Sequence, residues 1–176
     1  MSNFAQLLTG GHPNSLGNTL EVVDQVLADR HKLEDLYQCY FSHDEVVRLR
    51  TSSAMKRICK EHPKWLVPYL DKLLTVISQI DQASTQWTLA ILFNELAPEM
   101  SESQWHAAKE HLKHNLAHHQ DWIVLNTTMD TLGQWAKEDL QLRNWMPPHL
   151  FRLKQDPRKS VVRKAEKTMT LIQKYS

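Results

Sequence analysis

The stretch DEVVRLRTSSAMKRICKEHPKWLVPYLDKLL, Asp44 to Leu74, decides the fold. Its first half reads as one helix. Ser42 or Asp44 can accept hydrogen bonds from the free N–H groups of the first turn, acidic residues occupy that turn, and Lys60 and His62 sit near the negative end of the helix dipole. Val47, Thr51, Met55 and Ile58 recur at three- and four-residue spacing and form its inward stripe. Pro63, with no N–H to donate, ends the helix. A second helix follows over 64–79, with an apolar stripe of Leu66, Leu70, Leu73 and Ile77, and tolerates Pro68 because it falls near the helix start.

The inward stripe of the first helix returns along the chain. A shift of 38 residues gives Thr85, Leu89, Phe93 and Leu96; a further 39 gives Val124, Thr128, Leu132 and Trp135; a further 37 gives Val161, Ala165, Met169 and Ile172. Of the sixteen positions, thirteen are apolar and three are Thr. Between these helices the pattern places a second kind, so that helices are expected at about 19–30, 32–41, 44–62, 64–79, 83–97, 101–119, 121–138, 146–155 and 158–175. Asn18–Thr19 and Asp121 are candidate caps, and Pro98, Pro147–Pro148 and Pro157 are breaks. Helix pairs repeating at a fixed period bury their apolar faces only against copies of themselves, so they stack. The expected fold is all-α, an α-α superhelix of about four helix pairs.

Composition agrees. Only four glycines occur in 176 residues, and three of them lie at or before Gly17, too few turn residues for a β-rich chain. Residues 1–18, rich in Gly, Asn and Ser, are expected to form a flexible lead-in to a single domain over 19–176. The N-terminus has no signal-peptide pattern and no stretch is apolar enough for a membrane span, so no membrane role is expected. Cys39 and Cys59 lack metal-ligand spacing and read as small core residues in a reducing cytoplasm. Charge is uneven. Residues 143–176 hold nine Lys/Arg against Asp156 and Glu166, a local +7 in a chain whose total is +1.

The segment Asp44–Leu74 resembles the HEAT-repeat family, whose first helix carries Asp, then Val-Arg, a small residue and Ile, followed by Pro and a leucine-rich second helix. DWIVLNTTMDTLGQWA (121–136) and DPRKSVVRKAEKTM (156–169) are similar to two more first-helix copies, and the resemblance runs over about 19–176. The whole chain also resembles small stand-alone bacterial proteins of this kind. Two features depart from the pattern: the period is shorter than the roughly 40–47 residues typical of such units, and the copy at 83–97 has Thr85–Gln86 in place of Val-Arg. The resemblance implies a non-catalytic scaffold or adaptor that binds another macromolecule, a protein first. It also implies that the second helix of each pair lines a groove. Residues 64–79, 101–119 and 146–155 would then share it, with Lys64, Asp71, Lys72, Glu110, His114, Arg152 and Lys154 as contacts.

The alternative is a nucleic-acid binder that uses the basic C-terminal quarter. On the helix over 158–175, Arg163, Lys167 and Lys174 fall on the outward arc and Lys164 on its flank, facing an acidic partner surface or a phosphate backbone. A third reading is a base-modifying enzyme of HEAT-like fold, for which Asp121–Trp122 is the one adjacent Asp–Trp pair, although Asp121 serves better as a cap. His111, His114 and His118 fall together on one arc of the helix over 101–119, yet no local Cys, Asp or Glu completes a tetrahedral metal set. No phosphate loop, GxSxG, HExxH or CxxC is present. Neither catalysis, metal nor cofactor is expected.

Overall fold

The computed structural model describes residues 3–176, and all the regular elements among them are helices. These residues form α1 (Phe4–Leu8), α2 (Thr19–Ala28), α3 (Leu33–Gln38), α4 (Glu45–Glu61), α5 (Pro63–Leu66), α6 (Leu70–Thr75), α7 (Ala83–Leu96), α8 (Glu102–His118), α9 (Trp122–Trp135), α10 (Leu140–Leu153) and α11 (Lys159–Gln173). Short 3-10 turns link several of them. The chain divides into two compact units, Met1–Ser101 and Glu102–Ser176.

In the first unit α2 packs on α4 and α4 on α7, while α3 and α5 pack beside them as the second helices. In the second unit α9 packs against both α8 and α11, and α10 against α11. All sixteen positions of the recurring stripe are buried. The recurrence therefore has a physical content: each first-type helix turns the same face into its unit's core. Thr51 satisfies its hydroxyl by donating to the Val47 carbonyl, 2.8 Å away, one turn back.

The caps work as the sequence leads one to expect in two cases. Asp44 accepts from the Val46 N–H at 2.8 Å, and Asp121 accepts from Ile123 and Val124 at 2.8 and 3.0 Å. Asn18 does otherwise: its amide donates to the Leu7 carbonyl and ties α2 to α1. Pro68 is not absorbed into one helix over 64–79. The segment breaks into α5, a 3-10 turn at Val67–Tyr69, α6 and a second such turn at Ile77–Gln79. Pro147 and Pro148, conversely, do not delimit a helix over 146–155. They lie inside α10, which starts at Leu140 because the Asp139 side chain accepts from the Leu142 N–H at 2.9 Å. The helix goes on through two missing donors because Leu142, Met146, Leu150 and Leu153 anchor one face in the core, and Asn144 and Pro148 lie toward solvent.

The stretch expected to form the lead-in begins with the short helix α1, and residues 9–18 that follow it are exposed; Met1 and Ser2 fall outside the described residues. Phe4 and Leu8 are fully buried, one turn apart on α1, which packs on α2, α3 and α4. The following loop wraps the guanidinium of Arg50, which is only 2% exposed. Its Nη1 donates to the carbonyls of Leu8 (2.7 Å) and Gly10 (2.6 Å), its Nη2 to His12 (3.3 Å) and its Nε to Ser15 (3.2 Å). A buried charge needs such a shell. Gly10, Gly11 and Gly17 all take positive φ to build it, and a Cβ at Gly17 would lie 2.8 Å from the Arg50 Cζ.

Candidate protein-binding face on α8 and α10

The core stripe of α8 is Ala108, Leu112 and Leu116, joined by Asn115. That leaves Glu110, His114 and His118 exposed and Lys113 half-buried. On α10 the buried stripe leaves Trp145, His149 and Arg152 on a common arc. The two arcs meet. Lys113 Nζ is 5.0 Å from the Trp145 ring centre and 2.8 Å from Glu110 Oε1, Trp145 and His149 pack at 4.0 Å, and Arg152 Nη2 donates to the Leu116 carbonyl at 2.7 Å. His114 and His118 lie 4.7 Å apart. Phe151, 59% exposed, carries Lys154 Nζ at 5.8 Å.

The electrostatics of this face show in its imidazoles. His149 is held below the ordinary histidine range, first by burial and then by its neighbours Arg152, His118 and Lys113. His111 is pushed down to about 4 by burial and by His114, with Asn115 Nδ2 3.4 Å from its Nε2. At neutral pH both rings are therefore uncharged. Because His111 charges more readily in the unfolded chain, the unfolded state binds the extra proton between pH 6.5 and about 4. Stability should fall as pH drops through that window, and His111→Phe should flatten the fall in acid-dependent urea titrations.

Of the residues expected to share a groove, Glu110, His114, Arg152 and Lys154 belong to the second unit: Glu110 and His114 are exposed on α8, Arg152 on α10 reaches the Leu116 carbonyl of α8, and Lys154 follows the end of α10. Lys64 and Lys72 belong to the first unit. Lys64 is exposed, whereas Lys72 is engaged with Glu34 at 3.8 Å and lies over the Tyr37 and Tyr69 rings at 4.9 and 5.3 Å. Asp71 is exposed on α6. Arg163 and Lys167 are exposed on α11, Lys174 is exposed just after its end, and Lys164 pairs with Asp130 at 2.6 Å.

Sequence reasoning missed Trp145, His149 and Lys113, because the helix start was set at 146 and the i, i+4 pair Trp145–His149 fell across that boundary. It also missed why the C-terminal charge has one sign. Arg143 donates to the Ala136 and Lys137 carbonyls after α9, Arg152 to Leu116 in the last turn of α8, and Arg158 to Gln120 just beyond it. These are helix C-terminal carbonyls, which favour cations.

Asp121 spends its carboxylate on capping α9, and Trp122 beside it is 47% exposed. The half-buried pair Lys109–Asp139, at 2.7 Å, lies under Trp105 and fastens α8 to the start of α10. Among the described residues no group of three or more His, Cys, Asp or Glu could hold a metal, and no helix is long and apolar enough to cross a membrane. Cys39 and Cys59 are free and buried, their thiols pushed up to about 11 and about 12, chiefly by burial.

Paired helices that turn a repeated face inward define an α-helical repeat protein. The HEAT repeat domain model matches residues 11–104, more than half of the chain, and the chain belongs to the HEAT repeat family. No curated protein and no solved structure matches it.

Proposed function

We propose that this protein is a non-catalytic scaffold or adaptor that binds another protein through the α8–α10 face. The observation that carries the reading is the meeting of the two helices through Lys113 and Trp145, Trp145 and His149, and Arg152 and the Leu116 carbonyl, with Glu110 and His114 exposed on α8 and Phe151 exposed on α10. Aromatic and arginine side chains are the residues that anchor protein interfaces, and a cationic rim selects an acidic partner surface. HEAT repeats commonly serve as interaction surfaces, which supports the scaffold reading. The free, buried thiols fit work in a reducing cytoplasm.

Capture of partners from the source cells, followed by affinity measurement with the purified partner, tests the reading. The double change His114→Glu/Phe151→Asp should weaken binding about tenfold or more, equal to about 1.4 kcal/mol, with an unchanged helical spectrum. Lys64 takes part only if its own reversal weakens the same partner. The nucleic-acid alternative would show instead as affinity for oligonucleotides that falls log-linearly with salt and is lost on reversing Arg163, Lys167 and Lys174.

A further inference from the structure

A second surface of the Glu102–Ser176 unit, between α9 and α11, lies outside the α8–α10 face. Where α9 and α11 lie side by side, a recess of about 410 Å³ opens between them. Met129 and Thr168 are buried beneath it and Leu171 is half-buried at its wall. The two helices approach closely because Gly133 has no side chain: a Cβ there would meet Thr168 Cγ2 at 3.1 Å and Leu171 Cδ2 at 3.6 Å. A glycine in mid-helix is destabilising relative to alanine. Here its position permits the approach that shapes the recess.

The charges at the rim are not balanced. Asp130 is the acid among the lining residues, and it is neutralised by Lys164 at 2.6 Å. Lys167 and Lys174 line the recess, are exposed, and are paired with no carboxylate among the described residues. Lys167 on α11 and Lys174, the residue just after its end, stand seven residues apart, about 10 Å along the helix axis, with Leu171 between them. Gln134 faces them from α9 with an amide that can donate or accept.

We propose that this recess docks an acidic amphipathic helix of a partner protein. Two carboxylates, two turns apart on that helix, meet Lys167 and Lys174, and an apolar side chain between them enters over Met129 and Leu171. The repeat of charge, apolar contact and charge along α11 matches the period of a helix laid beside it, and its single sign selects acid on the partner. A recess of this size takes one or two anchoring side chains rather than a whole ligand, as expected where a helix lies across a groove.

Selection of displayed helical peptides on the purified full chain tests this directly. Enriched peptides should share two acidic residues two turns apart with an apolar residue between, and should bind with Kd on the order of 10 µM. Lys167→Ala/Lys174→Ala should weaken a selected peptide about tenfold, Lys167→Arg/Lys174→Arg should restore it, and added salt should weaken it. His114→Glu/Phe151→Asp should leave it unchanged, so failure here and failure of the α8–α10 reading are separate results. The proposal falls if no peptide is enriched, if enriched peptides lack the acidic pair, or if the alanine variant binds them equally. It falls also if single-stranded DNA binds through these lysines in preference to every peptide.

Discussion

Phe93→Ala should lower the unfolding free energy by about 3–5 kcal/mol in urea titration. Phe93 lies in the last turn of α7, fully buried, in the helix that packs on both α4 and α5. It is the third member of the stripe Thr85, Leu89, Phe93, Leu96, all buried. Removing the ring forfeits its transfer free energy and leaves a cavity that helices held on two sides close only in part. Val22→Ala, at an equally buried site on α2, removes only two methyl groups and should cost about 2 kcal/mol. If the order were reversed, the core would not be centred on the recurring stripe.

Arg50→Met should cost about 3 kcal/mol and free the N-terminal segment. Methionine keeps much of the apolar stem but none of the donors, so the carbonyls of Leu8, Gly10, His12 and Ser15 lose the group that holds them. Residues 9–17 should become the first site of limited proteolysis, while the spectrum of the long helices persists. Gly17→Ala should move in the same direction, because its Cβ would press on the guanidinium and its φ of 50° is strained for alanine. Wild-type resistance to cleavage there, lost in Arg50→Met, distinguishes a clamp from a buried charge that merely fills space.

The helical class and the first-type helices were legible because a three-to-four-residue stripe recurring across the chain leaves one solution, a shared inward face. Legibility failed where a local rule met a tertiary contact. The glycines before α2 read as slack, but they buy the φ values needed to wrap Arg50, and the i, i+4 pair Phe4–Leu8 was the overlooked sign of a short buried helix. Pro147–Pro148 read as a break, yet four buried apolar residues and the Asp139 cap hold α10 through them.

The candidate site was legible residue by residue more than as a surface. The outward arc of Arg163, Lys167 and Lys174 follows from the inward stripe of α11, since one fixes the other. The meeting of Lys113 with Trp145 and of Arg152 with the Leu116 carbonyl does not, because it depends on how α8 and α10 lie together. Nor could charge counting separate arginines engaged with helix carbonyls from lysines left free at the rim.

The central claim, a partner-binding face on α8 and α10, is tested most directly by site-specific crosslinking. A photoreactive phenylalanine analogue is placed in turn at Phe151, at His114 and, as a control, at the exposed Leu20 of α2. The same partner protein should crosslink at positions 151 and 114 and not at 20, with yields that fall on adding unlabelled wild-type protein. A partner that crosslinks at position 20, with positions 151 and 114 silent, would contradict it.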